Sequence, residues 1–225
     1  KMQKFIETKY GSIFTVLTLK DPKVLIILVP GLAGTRNSLC FREIELNSKH
    51  SILRFDFPGH GKSSGKAQIS YQEQANVVLL LKDQFKFDNY VLLGHSKGAT
   101  VALLSCTDQD KLIVIGGRYF LSQQPKNRFS DDEIEKMKTQ TIFKKLGNIT
   151  FEIDQKWFEE REKIEQKMDA LVKIPNSTII FHGIQDDVVE FENAVKWSQQ
   201  CGGKLIQLQS GHSNISWEDI KLINE

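Results

Sequence analysis

Cysteine is scarce in this chain: Cys40, Cys106 and Cys201 are only three in 225 residues, odd in number and widely separated. Their number and separation fit reduced thiols better than a disulfide framework, and their spacing is not that of metal ligands. Reduced, buried thiols are expected, and with them an intracellular, cytoplasmic protein. An excess of one charge is lacking as well. Thirty lysines and arginines against 28 aspartates and glutamates leave a net +2 with no polybasic block, so neither nucleic acid nor an anionic membrane is an expected partner. No apolar run approaches the ~20 residues of a membrane-spanning helix, so no integral membrane association is expected. The opening residues, KMQKFIETKYG, lack the apolar region of a secretory signal. Internal repeats and low-complexity tracts are missing too. What remains is an ordinary composition, 40% hydrophobic and 26% charged, of a length expected to fold as a single domain, 1–225, with a sizeable core.

What the chain does have is alternation. Residues 3–8 and 12–18 read as a hairpin turning at Tyr10-Gly11, and Val24–Val29 (VLIILV) is a continuous apolar strand of the kind buried on both faces. A helix around 38–46 and a strand at Ser51–Phe55 come next. Ser70 and Glu73 then form a capping box, which opens a helix with Tyr71, Ala75, Val78 and Leu79 on one face. Strands at 90–93 and Lys111–Ile115 flank a helix of small apolar residues. Beyond residue 176 the pattern resumes with a strand at 177–181, a helix through Trp197, a strand at Lys204–Leu208 and a short helix from about Ser216. About eight strands alternating with helices at this spacing predict an α/β fold around a mostly parallel, doubly wound sheet.

Between these two parts, 117–175 has weak strand signals and strong helical ones, and reads as a helical insertion. A capping box at Ser130 and Glu133 predicts a helix running to about Leu146. A second helix, about 154–172, carries Trp157, Ile164, Met168 and Leu171 on one stripe.

The chemistry concentrates where the strand at 90–93 meets its helix. Gly94-His95-Ser96-Lys97-Gly98 is a G-x-S-x-G pattern. Chance alone puts such a match in a chain of this length about one time in ten, but a match set between a strand and a helix is much rarer. A serine at a sharp strand-to-helix turn has strained dihedrals, and only small residues two positions either side let strand and helix approach closely enough. The helix that starts there also aims unpaired N–H groups, first that of Lys97, at an oxyanion formed on an attacked carbonyl. In open α/β sheets ligands gather at the carboxyl ends of the strands, and each strand here ends in a polar signal. Pro30-Gly31-Leu32-Ala33-Gly34 offers a turn with exposed N–H groups, of which that of Leu32 is best placed to join Lys97. Asp56-Phe57-Pro58-Gly59-His60-Gly61 follows the next strand, His182-Gly183-Ile184-Gln185-Asp186-Asp187 follows Phe181, and Ser210-Gly211-His212 follows Leu208. A serine, an acid and a histidine thus occur in that order, each just past a separate strand.

With these motifs the whole chain resembles the α/β-hydrolase superfamily, and more narrowly its small-lid branch of serine-aminopeptidase-type, monoglyceride-lipase-like and cinnamoyl-esterase-like proteins. The resemblance rests on DFPGHGKSSG from Asp56, GHSKG from Gly94, GGRYF from Gly116, HGIQDD from His182, and Gly211-His212. It implies that Ser96 is the nucleophile, His212 the general base and Asp186 its orienting acid, with an oxyanion hole formed by the backbone N–H groups of Leu32 and Lys97. It also implies a small lid at 117–175. Read from His182, the family pattern H-G-x-x-D-x-x-V puts the acid at Asp186 rather than Asp187 and the valine at Val189. Two positions depart from the family: Pro30 replaces a histidine before the oxyanion loop, and Glu190 replaces a proline after the acid.

The expected activity is hydrolysis of carboxylic esters of small molecules through an acyl-enzyme, with no metal or organic cofactor. The alternatives are a serine aminopeptidase or amidase, which needs carboxylates placed to hold a substrate ammonium, and a ligand-binding protein that kept the fold without turnover. Other polar residues have plainer readings. His60, His95 and His182 brace loops, Asp56 pins its own loop, and the charges at 131–138 form a solvated helix face. Tyr119, Phe120, Phe129, Phe143, Trp157 and Phe158 divide between an acyl pocket and packing of the insertion itself.

Overall fold

The computed structural model describes residues 1–123, 129–171 and 178–224. Eight strands form one sheet in the order β1-β2-β4-β3-β5-β6-β9-β10. β1 (Met2–Thr8) and β2 (Gly11–Thr18) make the expected hairpin, and β2 pairs antiparallel with β4 (Ser51–Phe55). From β4 the sheet is parallel through β3 (Val24–Val29), β5 (Asn89–His95), β6 (Lys111–Ile115), β9 (Ile179–Gly183) and β10 (Lys204–Leu208). This is the predicted mostly parallel α/β sheet. Residue 177, the expected start of the strand observed as β9, lies outside the described residues.

Helices cover both faces, and the alternation of side chains along the central strands divides the core in two. Leu25, Ile27 and Val29 of β3 pack on one side with α2 (Tyr71–Gln84), α3 (Lys97–Ser105) and α6 (Glu192–Cys201). Leu28 points the other way, joining Phe41 and Ile44 of α1 (Phe41–Asn47) and Ile220 and Ile223 of α7 (Trp217–Asn224). Burial on both faces is why VLIILV is apolar throughout. The capping box at Ser70 and Glu73 forms as read. Tyr71, Ala75 and Val78 are buried, but Leu79 is 38% exposed and Leu81 takes the inner position. α1 starts at Phe41 rather than near 38 because Leu39 has φ 52, outside the helical region. Cys40, Cys106 and Cys201 are free; Cys40 is buried and the other two partly so.

The insertion differs from expectation. The capping box at Ser130 and Glu133 is present, but α4 (Asp131–Met137) ends nine residues before Leu146. β7 (Ile142–Leu146) and β8 (Ile149–Ile153) then form an antiparallel hairpin. The cause is local: Ile142, Lys144 and Leu146 alternate with exposed residues, Phe151 and Ile153 do the same, and Gly147-Asn148 turns between them with Gly147 at φ 59. α5 (Gln155–Ala170) agrees with the second predicted helix. Phe129, Ile134, Met137, Phe151 and Ile153 make a small core of their own, with Leu32, Ala33 and Trp157 packed against it. Residue 172, at the predicted end of α5, lies outside the described residues.

Candidate active site

Ser96 sits between β5 and α3 with φ 54 and ψ −122, a backbone conformation that L-residues other than glycine rarely adopt. Its N–H donates to the Ile115 carbonyl (3.0 Å), and its own carbonyl accepts from Ala99 N (3.0 Å), so the strained residue is tied on both sides. The flanking glycines are required by close approach. A side chain at Gly94 would put Cβ 2.3 Å from the Gly98 carbonyl oxygen, and one at Gly98 would come within 2.2 Å of the Val29 carbonyl oxygen. The hydroxyl caps nothing at the helix start.

The loop after β3 lies against this turn. A Cβ at Gly31 would stand 3.2 Å from Ser96 Cβ, and Ala33 is held at φ 58. Leu32 thereby lines the same cavity as Ser96 and Lys97.

Asp186 and His212 are brought together from the ends of β9 and β10. Asp186 Oδ2 accepts from His212 Nδ1 at 2.7 Å, while its Oδ1 accepts from the N–H groups of Val188 (2.9 Å) and Val189 (2.7 Å). Burial alone would raise the Asp186 pKa. The His212 hydrogen bond and charge, with the two backbone donors, outweigh burial and hold it below the ordinary value. The neighbouring Asp187 is exposed. Gly116 gives the pair its room, since a Cβ there would lie 3.3 Å from both Asp186 Oδ2 and His212 Nδ1. His95 Nε2 donates to the His212 carbonyl (3.0 Å), and the two rings lie 4.8 Å apart, linking the elbow to the histidine loop. The hydrogen bonds among the described residues join Asp186 to His212 but not His212 to Ser96.

The plainer readings of the other polar groups agree with their contacts. His60 Nδ1 donates to the Pro58 carbonyl, and Asp56 accepts from the N–H groups of Arg36 and Lys62 and from the Arg36 guanidinium. His182 donates from Nε2 to Val189 O at 2.8 Å, and burial, the main effect on it, pushes its pKa down.

Of the aromatic residues considered for a pocket, Phe129 and Trp157 line the cavity beside Ser96. Tyr119 is instead buried against Trp197 with its hydroxyl on Asp169, and Phe143 is 70% exposed. Phe151 also lines the cavity, on the hairpin that sequence reasoning missed. So do two cations that it passed over, Arg118 and Arg161. Arg161 had a signal: it stands four residues after Trp157 and three before Ile164, on the very stripe read as apolar. Arg118 had none. Among the described residues no group of three or more His, Cys, Asp or Glu side chains could hold a metal, and no helix is long and apolar enough to cross a membrane.

Comparison with known proteins agrees with this fold. A family model described as alpha/beta hydrolase fold matches residues 24–113. The chain is similar to "Putative esterase/lipase 2" of Mycoplasma genitalium, 29% identical over 171 residues that cover 74% of this chain and 59% of that protein. It is also similar to "Esterase YbfF" of Escherichia coli, 31% identical over 94 residues, 40% of this chain and 37% of that protein. The matched parts span less than two thirds of either relative's length. Among solved structures, alpha/beta hydrolase domain-containing protein 10 from mouse superposes with a TM-score of 0.81 at 18% identity, covering 100% of this chain and 96% of that one.

Proposed function

This chain has the α/β-hydrolase fold, and on that premise we propose that it is a serine hydrolase acting on carboxylic esters through an acyl-enzyme. The observation that carries the reading is the buried Asp186–His212 pair, Oδ2 to Nδ1 at 2.7 Å, next to a serine held at φ 54 on a strand-to-helix turn. Ser96 attacks the ester carbonyl while His212 Nε2 takes its proton. Asp186, bonded to the opposite ring nitrogen, fixes the tautomer that leaves Nε2 free to do so. The N–H groups of Leu32 and Lys97 stabilise the oxyanion, His212 returns the proton to the leaving alcohol, and water releases the acid by the same route. These steps use only the chain's own residues. Residues 117–175 act as a lid within a single domain, in which Phe129 just before α4, Phe151 of the hairpin and Trp157 of α5 form the apolar wall beside Ser96. The esterase names borne by both relatives support esters over amides.

The test is labelling with a fluorophosphonate, which phosphonylates an activated serine. The wild-type protein should label stoichiometrically, and Ser96→Ala should neither label nor hydrolyse p-nitrophenyl esters, a loss of several orders of magnitude. Turnover by Ser96→Ala at the wild-type rate would end the proposal, and an unlabelled wild type would favour a binding protein without turnover.

A further inference from the structure

The cavity next to Ser96 contains a cation for which the described residues supply no salt bridge. Arg161 projects from α5 into the cavity and is only 6% exposed. Among the described residues its one hydrogen bond is a long one, Nη1 to Tyr71 Oη at 3.5 Å, and its Nε and Nη2 have no partner. These two nitrogens lie on the same edge of the guanidinium, with parallel N–H bonds, and that edge matches the two oxygens of a carboxylate. The guanidinium carbon lies over the Trp157 ring, 4.5 Å from its centroid, a cation–π contact that leaves Nε and Nη2 without a hydrogen-bond partner among the described residues. Burying a cation without a counter-charge costs several kcal/mol, and such a cost is offset when an anion arrives.

The surrounding charges point the same way. Among the described residues Lys97 and Arg118 line the cavity with Arg161 and no carboxylate does, and Glu160, whose charge acts on Lys97, accepts from the Tyr71 N–H at 2.7 Å. Burial first of all, opposed by Glu160 and reinforced by Arg161, brings Lys97 down to a pKa of about 8. Apolar walls at Phe129, Phe151 and Trp157 lie in the same cavity, room for a methylene chain.

We propose that the ester taken by this site carries a carboxylate, gripped by the Nε–Nη2 edge of Arg161 while its ester carbonyl lies at Ser96. The proposal rests on the serine-hydrolase reading above and adds the substrate class. The carboxylate can stand at the far end of the acyl chain or of the alcohol, and matched pairs separate the two. On the acyl side, kcat/KM is measured for monoethyl adipate and monoethyl suberate against ethyl hexanoate and ethyl octanoate. On the alcohol side, acetoxyhexanoate is measured against hexyl acetate, with proton release as the readout throughout. In one of these series the charged ester should be preferred by roughly tenfold or more, the discrimination expected of a site built around a buried polar partner. Arg161→Gln should collapse the charged-to-neutral ratio at least about tenfold, mainly through KM, and Arg161→Lys should restore only part of it because an ammonium cannot form the paired bonds. No preference for a charged ester in any wild-type pair would overturn the proposal, whether or not the variants fold. So would a ratio left unmoved by Arg161→Gln. Fluorophosphonate labelling of the same preparations separates the two levels: a labelled enzyme that prefers neutral esters sinks only the carboxylate, whereas an unlabelled one sinks the hydrolase reading itself.

Discussion

Asp186 and Asp187 are adjacent carboxylates in opposite surroundings. Asp186 is enclosed, takes two backbone N–H bonds on one oxygen and His212 on the other, whereas Asp187 is exposed to solvent. Asp186→Asn replaces a carboxylate with an amide and removes the charge proposed to hold the imidazole tautomer. It should lower kcat roughly ten-thousandfold, the size of the analogous loss in a serine protease. Asp187→Asn should cost about tenfold or less, since its charge reaches the ring only through screened solvent. Both variants are measured with one p-nitrophenyl ester, and a larger loss at Asp187 would reject the assignment. Lys97 is a residue-scale case of the opposite sign. Its ammonium is held in the cavity at the start of α3, where the helix dipole is also unfavourable to a cation. With a folded-state pKa of about 8 against an ordinary 10.5, the unfolded chain binds the extra proton between those values. The destabilisation is therefore full below about pH 8 and is relieved as pH rises through that window. Lys97→Met, which keeps the backbone N–H, should raise the melting temperature at pH 7 by a few degrees, about 1–2 kcal/mol after allowing for partial exposure. That gain should shrink as melting is followed from pH 8 to 10.5, and a constant gain would show that the lysine is not charged in a low-dielectric site. What was legible at this scale was whatever a turn makes obligatory, since Gly94, Ser96 and Gly98 are fixed by backbone contact, whereas Asp186 was picked out through the H-G-x-x-D-x-x-V pattern of the family the chain resembles. Arg161 was not legible, because in a helix dense with Lys and Glu one more charge reads as solvated unless its place on the stripe is checked.

At the scale of elements, strands and capping boxes were legible and the β7–β8 hairpin was not. Ser70 and Ser130 each accept from the N–H three residues on, so both helix starts are written in short local patterns. The end of α4 depends on the competing alternation of 142–153, which a capping box does not report. The error matters functionally, since the hairpin delivers Leu146, Phe151 and Ile153 to the cavity. Trp157 stacks edge-on against Phe129 at 6.0 Å and against Phe158 at 4.9 Å, so it is wall and strut together. Trp157→Ala and Phe129→Ala should shift the preference among acyl chain lengths of neutral p-nitrophenyl esters by roughly tenfold, more than they alter the rate of fluorophosphonate labelling, because a truncated aromatic opens the pocket without touching the reacting atoms. A chain-length profile unchanged in both variants would leave 117–175 a purely structural insertion.

The whole molecule converges on one edge of its sheet. Because β3, β5, β6, β9 and β10 run parallel, every loop that follows one of them opens on the same side, and residues as distant as Leu32, Ser96, Asp186 and His212 become neighbours without any long-range signal in the sequence. The sheet also carries a cost at its centre. Ser96 is held at φ 54 and ψ −122 by Ile115, Ala99 and the two close-packed glycines, and a non-glycine residue in such a conformation costs on the order of 1–3 kcal/mol. If the global fold sustains this strain, relieving it should be visible in the global unfolding transition. Ser96→Ala keeps a Cβ and therefore the strain, while Ser96→Gly removes both the Cβ and the strain at the expense of greater freedom in the unfolded chain, about 0.5–1 kcal/mol. Both variants lack the hydroxyl proposed as the nucleophile and should fail to react with a fluorophosphonate. Ser96→Gly should nonetheless melt higher than Ser96→Ala by roughly 2–6 °C, the shift that a net 1–2 kcal/mol produces in a chain of this size. Calorimetry of the two proteins side by side decides the point, since equal or reversed melting temperatures would mean that any strain at the elbow is no larger than the ~0.5–1 kcal/mol that glycine's freedom in the unfolded chain costs.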